Sequence, residues 1–223
     1  MQFIYHTDAG ASTLGLDKNE YTHLFKVRRI KEGSILFFRN MTDSMIYTYK
    51  LISLGRREAV LELLGGEHKE VRSSFDLTVG WAIIDPKVVE KTLPMLNEMG
   101  VEKIVFVYTD FSQKHFKPDI ERLERIAINS SQQCGRSSLI SFEIYASLTE
   151  YLHAYPNTWV VDFSENMLKN ENDLPSSILI GCEGGFSHDE REVLVSKQII
   201  GFKTPLILRS ESAVVAVAAK ILL

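Results

Sequence analysis

Near residue 75 the apolar pattern of this chain changes period, and that change restricts its fold more than any other feature. Beyond it, "FDLTVGWAII", "KIVFVYT", "LISFEIY", "TWVVDF", "SILIG" and "PLILR" are apolar runs of strand length, separated by helical stretches. Strands alternating with helices predict an α/β fold with a mainly parallel sheet covered on both faces. The helices carry their own punctuation. In "DPKVVEKTLPMLNEMG", Asp85 stands at the N-cap, Pro86 in the first turn and Gly100 after the last, while Pro94 is expected to kink the middle. "PDIERLERIAINSSQQCG" puts Ile120, Leu123, Ile126 and Ala127 on one face. Ser147 to Glu150 and Ser187 to Glu190 read as capping boxes, the second opening a helix to about Gln198. The closing "SESAVVAVAAKILL" is apolar almost all round. At roughly 14 residues it is too short for a bilayer, so it is expected to serve the core and a subunit interface together.

The first seventy residues have another rhythm. "QFIYH", "SILFFR", "MIYTYKLISL" and "EAVLELL" are short β-rich runs broken by "KEG", "RNMTDS" and "LGRRE", with Tyr21 to Arg29 as a short helix. This predicts a small β-barrel. "GGEHKEVRSS" at 65–74 suits a linker, so two domains are expected, at 1–70 and 74–223.

Composition narrows the function classes. No apolar run approaches the roughly 18 residues of a membrane span, and "MQFIYHTDAG" lacks the form of a signal peptide. Two cysteines, Cys134 and Cys182, in unlike contexts suggest a reducing, cytoplasmic setting. The six histidines show no ligand spacing with cysteine or each other, so no metal is expected. Net charge is −4, which does not advertise a nucleic-acid binder, yet residues 1–72 hold 11 Lys+Arg against 9 Asp+Glu. Within them "KVRRIK" reads either as a solvated face or as a phosphate-contacting patch.

Two stretches suggest chemistry. "ILIGCEGGFSHDE" ends a buried strand in a glycine-rich turn. It lacks the P-loop lysine and the dinucleotide spacing, and Glu183 would repel phosphate, so a neutral or cationic guest suits it better. "LRSESA" lies where a strand enters the last helix. Ser210 reads as its cap and Glu211 as a first-turn acid, whereas Arg209 is a cation near a positive helix end and has no such structural reason. Both stretches fall at the carboxyl edge of the expected sheet, where open α/β folds bind ligands.

"LIGCEGGFS" followed some twenty residues later by "LILRSESA" resembles the C-terminal signature of the ribosomal RNA small-subunit methyltransferase E family, of the SPOUT superfamily. "NEMGV", "IAINSSQQCGR" and "HLFKVRRIKEG" are similar to further family segments, so the likeness covers nearly the whole chain. It departs from the family pattern at Met95, Cys182, Thr204, Leu206 and the Arg39-Asn40 turn. The resemblance implies a PUA-like barrel and a SPOUT domain tied in a trefoil knot. It implies S-adenosylmethionine as cofactor, a homodimer, and methylation of uridine N3 in 16S rRNA within the small ribosomal subunit. A non-catalytic RNA-binding module, or a SPOUT enzyme acting on a ribose 2′-hydroxyl, is the alternative.

Carried onto this chain, the resemblance assigns the cofactor to Ile180, Gly181, Glu183, Gly184, Gly185, Leu206, Leu208, Ser210 and Ala213. Arg209 suits stabilisation of charge developing on the uracil oxygens, and Glu211 or Glu183 suits acceptance of the N3 proton if burial favours its protonated form. RNA is expected on Lys26, Arg28, Arg29 and Arg39 of the barrel, with Lys114, Lys117 and Arg136 from the other domain.

Overall fold

The computed structural model describes residues 2–16, 21–27, 30–55, 58–167 and 174–223. They form two compact units: Met1–Arg72 with Ser131–Leu139, and Ser73–Ser130 with Ile140–Leu223. The segment at 131–139 therefore counts with the first unit, which a linear boundary at 70–74 does not include.

The first unit is a curled five-stranded sheet of β1 (Ile4–Tyr5), β2 (Thr13–Gly15), β3 (Ile35–Arg39), β4 (Met45–Leu54) and β5 (Ala59–His68), in the order β1-β3-β4-β5-β2. β1 runs parallel to β3 and the other pairs are antiparallel. Period-2 alternation turns Phe38, Tyr49, Leu51 and Leu61 inward, and a π-helical turn, Thr22–Val27, lays Leu24 and Phe25 on them. The supposed linker starts too early. "GGEH" continues β5, because the ten-residue β4 pairs to its first residue, with Met45 opposite His68 and Tyr47 opposite Gly66.

The second unit is an all-parallel sheet of six strands: β6 (Thr78–Ala82), β7 (Lys103–Val107), β8 (Ser141–Tyr145), β9 (Trp159–Val161), β10 (Ser177–Ile180) and β11 (Ile199–Ile200). Their order is β11-β9-β10-β6-β7-β8. Helices α1 (Pro86–Met99), α2 (Ile120–Cys134), α3 (Leu148–Ala154), α4 (His188–Leu194) and α5 (Ser210–Leu222) accompany them. Alternation along the strands sorts two apolar layers. Val79, Trp81, Ile104, Phe106, Ile178 and Ile180 face α1, α2 and α5, while Val105, Val107, Val160 and Leu179 face α3 and α4. The predicted punctuation of α1 is present: Asp85 accepts from the Lys87 N–H, and Gly100 closes the helix in the left-handed conformation. The helix continues through Pro94.

Two local readings are overturned near the end. The helix opened by Ser187 stops at Leu194 rather than Gln198, because the next residues are taken by the sheet edge. The Val160 N–H donates to the Gln198 carbonyl, and the Asp162 N–H to that of Ile200. "PLILR" is not a strand. It is an exposed approach to α5, with Leu206 72% and Ile207 79% exposed.

Candidate functional site

Beyond the carboxyl ends of β9 and β10 lies an open hollow of about 1130 Å³, walled by the turn after β10 and by the approach to α5. The turn closes when the Gly185 N–H donates to the Cys182 carbonyl at 2.9 Å. Gly185 has φ +68°, and a side chain on Gly181 would press on the Gly185 backbone at 3.2 Å. A side chain at Gly185 would be strained by its left-handed backbone, and one at Gly181 would crowd the turn's own closure. Glu183, at its tip, is exposed.

The two bends are joined directly. The Ser210 hydroxyl donates to the Gly181 carbonyl at 2.6 Å and accepts from the Trp81 indole N–H at 2.8 Å. This corrects the reading of Ser210 as a helix cap. Arg209 occupies the N-cap position, with φ −67° and ψ 159°, and caps with no side-chain hydrogen bond. Its guanidinium extends outward, 83% exposed, 4.0 Å from the Glu211 carboxylate.

Other elements brace the turn. On α4 the Ser187–Glu190 capping box is complete, and the second Glu190 oxygen accepts from the Asp110 N–H at 3.0 Å. Ser187 also bonds the Asp110 carboxylate, and Phe111 from the same loop packs against Gly184 so closely that a side chain there would meet it at 3.1 Å. Arg191 pairs with Asp162 at the end of β9 and donates to the Phe186 carbonyl at 3.1 Å.

All nine residues assigned to a cofactor, together with Arg209, line this one hollow; Glu211 stands outside its lining. Sequence reasoning missed Asp162, Arg191 and Lys203, which also line it, and Trp81, which lies behind it. Arg191 carried no motif, and nothing local in the sequence pairs Trp81 with Ser210. The proposed RNA cations fare unevenly. Lys114 and Lys117 are exposed on the loop after β7. Arg39 is 1% exposed, stacked on Phe3, and donates to the carbonyls of Met45 and Lys69, so it holds the sheet and has no surface for RNA. Burial pulls its guanidinium below the ordinary value, against the opposing fields of Asp43 and Glu67. Arg136 is 4% exposed and bonds Ser138, so it too is withdrawn from the RNA set. Arg28 and Arg29, and the side chain of Lys26, lie outside the described residues. Among the described residues, no group of His, Cys, Asp or Glu is arranged to hold a metal ion, and no helix is long and apolar enough to cross a membrane.

Chemically the hollow offers apolar walls from Ile180, Leu206 and Leu208, turn backbone without side chains, a helix start with no side-chain cap, and charges of both signs at the rim. A small amphipathic molecule with separated polar ends fits that donor set, and the volume suits a small-molecule site.

The comparisons with known proteins agree over the whole length. The family model described as an RNA methyltransferase domain matches residues 71–222, and that described as an RNA methyltransferase PUA domain matches 16–64. The chain is 40% identical over 222 residues to the ribosomal RNA small subunit methyltransferase E of Helicobacter pylori, covering 98% of each. It is 26% identical to the protein of the same name from Aquifex aeolicus, again over 98% of each. The fold matches the Neisseria gonorrhoeae ribosomal RNA small subunit methyltransferase E, solved bound to S-adenosyl methionine. There the TM-score is 0.82 at 22% identity, over 99% of this chain and 96% of that one. It also matches a probable rRNA-methyltransferase from Porphyromonas gingivalis, with TM-score 0.80 at 22% identity, over 100% and 98%.

Proposed function

This chain belongs to the ribosomal RNA small subunit methyltransferase E family, and from that premise we propose that it methylates 16S rRNA with S-adenosylmethionine as methyl donor. The finer reading is transfer to N3 of a uridine, uracil 1498 in the family, within the assembled small subunit, by a cytoplasmic homodimer. The single observation that carries this reading is the Ser210–Gly181 bond, which draws two glycine- and loop-based bends around one hollow at the carboxyl edge of a parallel sheet.

In this reading the 181–185 turn and the approach to α5 hold the donor, and the donor when bound supplies an electrophilic methyl group on its sulfonium. The chain's own work is to orient and to manage charge. N3 lies on the Watson–Crick edge, so the target uridine is read unpaired or extruded. As N3 accepts the methyl it loses a proton, and negative charge spreads to O2 and O4 on the way. Arg209 at the rim is free to swing its guanidinium onto those oxygens. Glu211, beside it, or Glu183, on the turn, accepts the proton directly or through water. Alignment supplies the rest of the rate. The exposed apolar residues of the approach, Leu206 and Ile207, together with α5, suit burial against a second copy.

Mass spectrometry of nuclease-digested 16S rRNA from small subunits treated with this protein and S-adenosylmethionine should show one added methyl on a uracil base. A methyl on ribose, or none, removes the N3 reading. Arg209→Ala should lower turnover about a hundredfold or more while donor affinity stays within a few fold. Unchanged turnover takes Arg209 out of the mechanism.

A further inference from the structure

Trp81 lines no part of the hollow, yet it is bonded into the residue that joins the two bends. It sits on β6 opposite Ile180 in register, fully buried, one residue across from Gly181. Ser210 is 5% exposed. An indole N–H only donates, so the Ser210 oxygen must accept from it, at 2.8 Å. The single hydroxyl proton is then left for the Gly181 carbonyl, at 2.6 Å. The relay therefore has one polarity, Trp81 to Ser210 to Gly181. A phenylalanine would fill much of the same core but would leave the Ser210 oxygen without its indole donor, so the hydroxyl would be held less firmly toward the Gly181 carbonyl.

Resting on the donor-site reading above, we propose that Trp81 is a positioning residue: through Ser210 it locks the Gly181 carbonyl and so holds the glycine turn and the start of α5 at the spacing the methyl donor requires. The α4, Asp110 and Phe111 contacts brace the far side of the turn, whereas the Ser210–Gly181 bond ties its near side to α5, where Gly181, Gly184 and Gly185 bring no side chains and Glu183 is exposed. Methyl transfer depends on alignment, so a core hydrogen bond that sets a wall of the pocket acts on binding and rate without touching either reactant.

The test is calorimetric titration of S-adenosylmethionine into the full chain and four variants, with unfolding midpoints taken in parallel. Trp81→Phe and Ser210→Ala should each weaken binding about tenfold, the effect of one lost buried hydrogen bond. The double variant should bind no worse than Ser210→Ala alone, because the indole acts only through the hydroxyl. Ser210→Thr, which keeps the hydroxyl, should restore binding to within about threefold. Unaltered affinity in Trp81→Phe, or losses that multiply in the double variant, would overturn the inference while leaving the donor site intact. If Trp81→Phe does not fold, the contrast between Ser210→Ala and Ser210→Thr decides: equal affinities sink the relay. Absence of binding by the unaltered chain removes the donor reading and this inference together.

Discussion

Tyr151 of α3 reaches under the sheet so that its hydroxyl meets Thr158 at 2.9 Å, Ser177 at 3.1 Å and the Ile178 carbonyl at 3.5 Å. Burial pushes this hydroxyl up to about 12, with its serine and threonine partners only partly offsetting the cost of a buried phenolate. In the unfolded chain it titrates near 10. The folded protein therefore resists ionisation, and the stability this residue contributes is fully present below about pH 10 and is lost as pH climbs through 12. The expected loss is about 3 kcal/mol across that window. Urea unfolding at stepped alkaline pH should show a shallower decline for Tyr151→Phe than for the unaltered protein; identical slopes would mean that other groups carry it. Single residues also show how far a sequence can mislead. Arg39 stands in a strand beside a turn and reads as a surface cation. Its burial depends on carbonyls from Met45 and Lys69, residues brought together only when β4 and β5 pair.

Elements were legible wherever their signals are local. The Ser187 capping box, the Asp85-Pro86 start and the Gly100 stop each involve residues within a turn or two of one another, and each was readable in advance. Ser187→Ala removes the acceptor for the Glu190 N–H and the bond to Asp110. It should cost about 1 kcal/mol and lower the thermal midpoint by roughly 2–4 °C, read by circular dichroism. A midpoint unchanged within a degree would mean Glu190 alone secures the helix start. Element ends set by distant partners were not legible. α4 stops four residues early because Gln198 and Ile200 bond β9, and "PLILR", with the pattern of a strand, becomes a rim of the hollow because no strand among the described residues pairs with it.

At the scale of the whole molecule, net charge bears on the proposed RNA substrate. A net charge of −4 gives no general attraction to polyanions, so binding should rest on few phosphate contacts and favour a shaped ribosomal surface over a naked strand. Lys114→Ala with Lys117→Ala should weaken binding to the small subunit, and should flatten the plot of log affinity against log salt by roughly 1.5. A slope unchanged in filter binding would remove that loop from the RNA surface. The residues gathered at the hollow were named through the family resemblance; the pattern alone marked only two stretches, an apolar run ending in glycines and a polar step into an apolar helix. What held them together was not so named. Alternating apolar periods, caps and turn glycines are encoded within a few residues, so the sequence by itself determined the two-part architecture, the parallel α/β sheet and the two bends. Strand order, the depth of Arg39 and the bond from Trp81 through Ser210 to Gly181 join positions up to 129 residues apart. Such pairings exist only once the chain has closed its long loops, and therefore only the tertiary structure decided them.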